Sequence, residues 1–382
     1  MTPAARFAAA IEVLDAVLSG GAAEPALLRW SRGHRFAGSK DRAALRDIVF
    51  SIDRRRASCA AMGGSMTGRG LVRGYLAQEG IAEETVFGTG RYAPEVLSFD
   101  PPLRRWEELA EATRADLQPW MWERLQEDHG PDAAPIAEAL RHRAPVWLRV
   151  NPLKATADEA MASLASEGFE PIRDPDLPTA IEVRRNPRKL AQSNLITEGY
   201  AEFQDLGPQR ALALLDVEQG MSVIDFCAGG GGKSLALAAR GAVVTAHDAD
   251  PRRMIDLPAR AARAGANIRI APSLGQERFD MVLCDVPCSG SGAFRRATDG
   301  KWRLAEPDLE RLLVKQRDIV TSARAHLRPG GRLVYMTCSL FHAENEGQFP
   351  FLADGQSCEF HRLFTPLEGC DGFFVAVFSD PT

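Results

Sequence analysis

Two cysteines sit where apolar stretches give way to polar loops: Cys288 in Asp285-Val-Pro-Cys-Ser-Gly290, and Cys338 in Tyr335-Met-Thr-Cys-Ser-Leu340. A thiol attacks carbon only as the thiolate, and a nearby carboxyl group can hold or deliver a proton on the molecule attacked. Asp285 is the carboxyl group that the first stretch offers. Pro287 cannot donate to a strand ladder, and Gly290 and Gly292 loosen the chain beyond it, so Cys288 is expected on an exposed turn. Cys284 falls inside the preceding strand pattern and reads as a core thiol. A lone cysteine is more often packed than reactive, and these residues by themselves do not rank Cys288 against Cys338.

A second stretch with chemical content is Asp225-Phe-Cys-Ala-Gly-Gly-Gly-Gly-Lys-Ser234. Its glycines let backbone approach a ligand, and the helix expected after it offers free N–H groups. Three ligands compete for this loop. A P-loop would take Gly232-Lys233-Ser234, with Asp285 as its strand-end acid, but Cys227 stands where the first glycine belongs. A dinucleotide fingerprint would need Gly or Ala at Ser234 after Gly229 and Gly231. S-adenosylmethionine needs a glycine-rich turn and an acid for its ribose hydroxyls. Asp248, about 20 residues beyond the loop in Thr245-Ala-His-Asp-Ala-Asp250, supplies that acid, as it would for NAD.

One reaction uses all of these parts. Carbon 5 of a cytosine is a poor nucleophile towards a methyl sulfonium. A thiolate adding to carbon 6 turns the ring into an enamine whose carbon 5 can attack, which splits one hard step into easier ones. An acid at the N3 edge, the place for Asp285, assists the addition. The proton on carbon 5 must then leave so that the thiol can be expelled, and a second thiol beside the first can help it go.

The elements that must position these groups are legible as patterns. Strands are expected at 221–226, 242–247, 267–271, 279–284, 332–337 and 373–378, with helical segments between the first five and a turn at Pro329-Gly330-Gly331. This is an α/β, doubly wound domain, in which ligands gather at the carboxyl ends of the strands. Both cysteine stretches and the glycine loop fall at such ends. Before it, helix at 133–143, strand at 146–151, helix at 157–167 and strand at 180–185 make a small α/β module. The first 118 residues read as helical, with a chain stop at Gly20-Gly21 and an apolar stripe of Leu45, Ile48, Val49 and Ile52. The expected domains are therefore 1–118, 119–197 and 198–382.

The chain has 382 residues and a net charge of −5, so it is not cation-coated. A local basic face is still available, since eleven Lys/Arg face three Asp between Arg29 and Arg73. Such a run is as often simply a solvated helical face. Seven cysteines without a CxxC pair indicate free thiols rather than a disulfide framework or a zinc module. No apolar run reaches the roughly 18 residues of a membrane span, and no secretory signal is visible. The expectation is a cytoplasmic, monomeric protein with no membrane and no metal.

The motifs together resemble one family. DFCAGGGGKS is similar to its cofactor loop D-x-C-A-A-P-G-G-K-T, and DVPCSGSGAFRR with Lys301-Trp302 to its D-A-P-C-S-G-T-G and downstream K-W. YMTCSLFHAENE resembles Y-S-T-C-S-L-x-x-x-E-N-E, and Asp371-Gly-Phe-Phe374 the terminal D-G-F-F. Leu148-Arg-Val-Asn-Pro-Leu-Lys154 and Phe203-Gln-Asp205 resemble L-R-V-N-x-L-K and x-Q-D. On residues 148–374 the chain is identified as a member of the RNA cytosine-5 methyltransferase (Sun) family, most like its bacterial ribosomal RNA small-subunit methyltransferase B type. KDRAALRDIVFSIDRRR is similar to the NusB-like RNA-binding domain of that type.

The resemblance implies a Rossmann-like class I methyltransferase domain, a ferredoxin-like middle module and a helical N-terminal domain. It implies that Cys338 is the nucleophile, that Cys288 resolves the adduct, and that Asp285 contacts both the cytosine edge and the cofactor side. It also implies that Cys227, Ala228, Gly229, Gly230, Gly231, Gly232, Lys233 and Asp248 hold S-adenosylmethionine. The implied target is 16S ribosomal RNA. Transfer RNA, or a non-catalytic RNA-binding or assembly factor on the same fold, are the alternatives. Arg295 and Arg296, just past the cysteine loop, are candidates for phosphate contacts. Two departures stand out: glycine replaces the family's proline in the cofactor loop, and Ala271-Pro272-Ser273 replaces an acid after the third strand.

Overall fold

The computed structural model describes residues 1–97, 100–353 and 355–379, which form two compact units. The first comprises Met1–Arg143 and Phe294–Leu304; the second comprises Ala144–Ala293 and Ala305–Thr382.

The first unit is helical. Helices α1 (Pro3–Leu18), α2 (Ala23–Gly33), α3 (Ser39–Arg54), α4 (Arg56–Gly63) and α5 (Gly68–Gln78) open the chain. Pro3 starts α1 where its missing N–H costs nothing, and the Thr2 hydroxyl accepts from the Ala5 N–H. Val13, Leu14, Leu45, Val49, Ile52, Leu71 and Leu76 form the core between them. Helices α4 and α5 meet on glycine: a Cβ on Gly74 would lie 1.8 Å from the Cys59 carbonyl oxygen, so no other residue fits. The helices Pro119–His129 and Ala133–Arg141 also fall within this unit.

Residues 294–304, which come after the Cys288 loop in the chain, are part of this helical unit. Buried polar groups fix them there. The fully buried Lys301 ammonium donates to the Arg54 carbonyl at 2.6 Å, and Trp302 Nε1 donates to the Asp53 carbonyl at 2.9 Å. The Thr298 hydroxyl bonds the Asp53 carboxylate. Gln118 Nε2 donates to the carbonyls of Lys301 and Leu304.

The second unit holds two sheets. Strands β1 (Trp147–Val150), β2 (Pro171–Arg173), β3 (Ala180–Val183) and β4 (Ala201–Phe203) form an antiparallel sheet of order β2-β3-β1-β4. The helix Ala157–Ser166 packs with it through Ala160 and Leu164, and a Thr156/Glu159 capping box starts that helix. The expected helices and the strands around 147 and 181 are present, whereas β2 and β4 have no counterpart in the sequence patterns. Each is only three residues long, too short to show a period.

Strands β5 (Ser222–Asp225), β6 (Val243–Ala246), β7 (Ile268–Ile270), β8 (Phe279–Asp285), β9 (Leu327–Thr337), β10 (Ser357–Phe364) and β11 (Phe373–Ser379) form the larger sheet. Its order is β10-β11-β9-β8-β5-β6-β7, with β5 to β9 parallel and the β10–β11 pair antiparallel at one edge. All six expected strands are here. Strand β10 is additional, and β9 begins earlier than its pattern indicates. Pro329–Gly331 is an irregularity within β9, exposed at Pro329 and Gly330, where the pairing jumps from Phe279↔Leu327 to Met281↔Arg332. The central strands are apolar on both faces (Val223, Ile224, Val282, Leu283, Leu333, Val334), as a sheet covered on two sides requires. Among the described residues no helix is long and apolar enough to cross a membrane.

Candidate active site

Three adjacent parallel strands, β5, β8 and β9, end side by side, and each ends on one of the stretches singled out by composition. Strand β5 leads into the glycine loop, β8 into Asp285 and Cys288, and β9 into Cys338. The parallel register places Asp285 opposite Met336, so the two cysteine loops leave the sheet at the same level.

The two thiols converge. Cys288 Sγ and Cys338 Sγ lie 3.3 Å apart, both half-buried and unoxidised. Cys288 is outside the strand, as its proline and glycines dictate, but it is turned against its partner rather than fully exposed. Hydrogen bonding to the Cys338 sulfur, followed by burial, pushes the Cys288 thiol well above its ordinary pKa. Cys284, one residue before Asp285, is fully buried and burial likewise raises its thiol, as a core position dictates.

A set of hydroxyls and one carboxylate locks the two loops together. Ser289, Ser291 and Ser339 form a triangle of oxygens 3.1–3.2 Å apart. Glu344, fully buried, accepts from Ser339 Oγ at 2.5 Å, from the Ser289 N–H at 2.8 Å and from Gln316 Nε2 at 2.9 Å. Gln316 Nε2 also reaches the Pro287 carbonyl at 3.1 Å. Across the loops the Gly292 N–H donates to the Cys338 carbonyl, and the Leu340 N–H to Ser291 Oγ. Gly292 further abuts Gly372, where an added Cβ would lie 2.3 Å from the Gly372 oxygen. The Asp371-Gly-Phe-Phe stretch thus needs its glycine for backbone contact with the cysteine loop.

The glycine loop is pinned from three sides. Gly229 and Gly231 adopt positive φ angles of 51° and 79°, and a Cβ on Gly231 would lie 2.2 Å from Leu257 Cδ1. The helix Gly232–Ala239 begins immediately after. Asp248, 3% exposed, accepts from the Gly229 N–H and from Arg253 through one oxygen, and from the Asp250 N–H through the other. Arg149 of β1 donates to the Gly232 carbonyl at 2.7 Å and to Gln204 Oε1 at 2.9 Å, and burial pushes its guanidinium down to about 10. Arg260 bonds the Gly230 carbonyl. Burial holds the Cys227 thiol up at about 12, so it is no nucleophile at neutral pH.

Lys233 joins loop to cysteines. Its ammonium donates to Asp285 Oδ2 at 2.6 Å and lies 5.2 Å from the centre of the Phe373 ring. Burial works against that charge, but the Asp285 carboxylate, with Asp225 and Cys338 behind it, outweighs burial and raises the pKa. Asp225 accepts from Ser234 Oγ at 2.7 Å, while its Oδ1 is buried with no hydrogen-bond partner. Burial raises this carboxyl to about 6. An unpartnered buried acceptor at the start of a glycine loop, with no room for a side chain at Gly231, fits the cradle of a ligand that carries an ammonium group. Asp225 and Glu344 both lie inside the motif stretches, yet no pattern there singles them out. Nothing local shows which acid turns inward to bridge two loops.

Arg295 and Arg296 fall in the segment that belongs to the helical unit. Arg295 is 5% exposed, and Arg296 alone of the two presents its side chain to solvent. Among the described residues no three His, Cys, Asp or Glu side chains are placed to hold a metal ion.

The comparisons with known proteins agree with this geometry. A family model described as "16S rRNA methyltransferase RsmB/F" matches residues 212–361, and a "Methyltr_RsmF/B-like, ferredoxin-like domain" matches residues 118–188. The ribosomal RNA small subunit methyltransferase B of Klebsiella pneumoniae is 34% identical, over 70% of this chain and 67% of that one. The protein of the same name from Escherichia coli is 30% identical over 88% of this chain and 90% of that one. Among solved structures, PH0851 superposes on 100% of this chain and 99% of its own with a TM-score of 0.76 at 21% identity, a likeness of fold. A methyltransferase homolog protein from Pyrococcus horikoshii covers 72% of this chain and 100% of its own, with a TM-score of 0.62 and 25% identity. With a relative 30% identical along nine-tenths of its length, and with the ferredoxin-like and methyltransferase parts both matched in order, the chain belongs to the RsmB/F family of methyltransferases.

Proposed function

We propose that this protein transfers a methyl group from S-adenosylmethionine to carbon 5 of a cytosine in RNA, with small-subunit (16S) ribosomal RNA as its target, through a covalent adduct on Cys338. The observation that carries the proposal is the pair of thiols 3.3 Å apart at the ends of adjacent loops, next to the Lys233–Asp285 ion pair. S-adenosylmethionine supplies the electrophilic methyl group. In this reading Cys227 to Lys233 would hold it, with Asp225 through its Oδ1 and Asp248, whose buried carboxylate fixes the loop at Gly229.

In this reading the Cys338 thiolate forms a bond to carbon 6 of the base, and Asp285, oriented by Lys233, takes the N3 edge. The electron pair displaced from the carbon 5–carbon 6 bond makes carbon 5 the nucleophile. After transfer, the proton on carbon 5 is removed and the carbon 6–sulfur bond breaks, which restores the ring and the Cys338 thiolate. Cys288, whose sulfur lies 3.3 Å from that of Cys338, takes that proton once it has given its own to solvent, and the high proton affinity of its sulfur makes it a strong base for this step.

The test is to incubate the protein with 16S ribosomal RNA and S-adenosylmethionine and to sequence the RNA after bisulfite treatment. A single protected cytosine that remains unprotected with Cys338→Ala supports the proposal. No protected cytosine in 16S RNA, with protection in transfer RNA instead, would transfer the proposal to the other substrate.

A further inference from the structure

The glycine loop carries more glycine than its turns require. Gly229 and Gly231 take positive φ, but Gly230 between them does not, so its backbone would admit a residue with a Cβ. The Gly230 N–H makes no backbone hydrogen bond among the described residues, so the proline of the family pattern would forfeit none there. Glycine also makes the loop harder to order, because it has more conformational freedom to lose.

The neighbouring helix supplies the reason. A Cβ on Gly230 would lie 3.0 Å from Arg260 Nη1, so the guanidinium occupies the space that a side chain at 230 would take. Arg260 uses that space to bond the Gly230 carbonyl. Glu202 holds it there: Arg260 Nη2 donates to Glu202 Oε2 at 2.7 Å, and Glu202 is buried in β4 of the smaller sheet. Arg263, three residues on, donates to the other Glu202 oxygen at 3.3 Å. The end of β1 fixes the same helix, since Asn151 Nδ2 donates to the Ala264 carbonyl at 2.7 Å. A guanidinium backed by a carboxylate and aimed at a carbonyl makes a charge-assisted contact, stronger than a neutral hydrogen bond.

We propose that Arg260, oriented by Glu202, is a positioning residue for the cofactor loop: it fixes Gly230 as the family's proline would, and it ties S-adenosylmethionine affinity to the smaller sheet. The inference rests on the proposed function. In it, glycine at 230 and arginine at 260 form one device, because a proline ring and the guanidinium compete for one place.

The test titrates the full chain in a calorimeter with S-adenosylhomocysteine, the product, which binds without turnover. Arg260→Gln should weaken binding by about tenfold, the worth of one charge-assisted hydrogen bond. Glu202→Gln should weaken it too, and the two together no further than Arg260→Gln alone, because both act through one contact. Hydrogen exchange of residues 228–232 in the ligand-free protein should quicken in both variants. Gly230→Pro should recover about threefold in the Arg260→Gln background and bring no gain in the parent, where ring and guanidinium collide. A merely structural role would make these effects additive. In turnover, Arg260→Gln should raise KM for S-adenosylmethionine more than it lowers kcat. Unchanged S-adenosylhomocysteine affinity in Arg260→Gln would overturn the inference, as would a proline effect equal in the two backgrounds. A parent protein that binds no S-adenosylhomocysteine would instead overturn the cofactor reading, and the inference with it.

Discussion

At the scale of single residues, burial and hydrogen bonding assign different tasks to groups that look alike in the sequence. Four cysteines lie at or near the strand ends, and the environment sorts them. Cys284 and Cys227 are silenced by burial, the Cys288 thiol is raised by its hydrogen bond to Cys338, and the proposed function gives the attack to Cys338. Residue patterns place these thiols at strand ends but do not rank them, because a pKa depends on neighbours 50 positions away. Asp225 makes the same point for carboxylates. Its folded pKa of about 6 lies above the ordinary unfolded value near 3.9. The folded state therefore holds the proton more tightly, and the stability this gives is complete below about pH 4 and is lost as pH rises through about 6. Asp225→Asn should remove this loss, which is on the order of 2–3 kcal/mol. Melting temperatures from pH 4 to 7 should converge for the two proteins at the acid end and separate above pH 6, with the variant higher. The variant should also bind S-adenosylmethionine more weakly, because an amide cannot neutralise an ammonium group.

At the scale of elements, the two cysteine loops act as one piece because backbone and hydroxyl groups knit them together. Gly292 is the tightest point of that joint, since Gly372 leaves no space for a methyl group. Gly292→Ala should cost about 1–3 kcal/mol through overpacking and reduce turnover, while S-adenosylmethionine affinity, which the proposed function assigns to the glycine loop, should stay near normal. Calorimetric titration alongside a thermal melt separates the two effects. Glu344 is the polar counterpart of this joint. The elements themselves are legible where they are long and apolar: β5, β6, β8, β9 and β11 come from runs that a two-sided sheet demands. Strand β10 is not legible because Ser357–Phe364 is an edge strand, polar and largely exposed, whose only partner among the described strands is β11. The short β2 and β4 offer no period to read. The convergence of the candidate stretches is legible because they fall at carboxyl ends of parallel strands, and that rule needs only strand order.

At the scale of the whole molecule, residues 294–304 continue the Cys288 loop yet belong to the helical unit, through a contact that spans 245 positions of sequence. Nothing local in Ala297-Thr-Asp-Gly-Lys-Trp302 signals this, because buried charges read as surface charges until a partner is known. Lys301 is the telling case. Burial pushes its ammonium down to about 8, against an unfolded value near 10.4. Between those values the unfolded chain holds a proton that the folded chain has released, so stability should rise from pH 8 to 10 and stay at its lower level below pH 8. Lys301→Met should abolish that rise, whatever it does at neutral pH, where it leaves the Arg54 carbonyl without its donor. Chemical denaturation at pH 8 and pH 10 checks this. A variant as pH-sensitive as the parent would mean that another group titrates in this range.

The central claim is the division of labour between two sulfurs 3.3 Å apart, and trapping of the covalent intermediate tests it most directly. Cys288→Ala, Cys338→Ala and unmutated protein are each incubated with 16S ribosomal RNA and S-adenosylmethionine, then resolved on a denaturing gel. The account predicts a stable protein–RNA adduct with Cys288→Ala, because the thiol remains on carbon 6 of a methylated base. It predicts no adduct and no methylation with Cys338→Ala. An adduct that survives in Cys338→Ala, or that disappears in Cys288→Ala while methylation is lost, would contradict it.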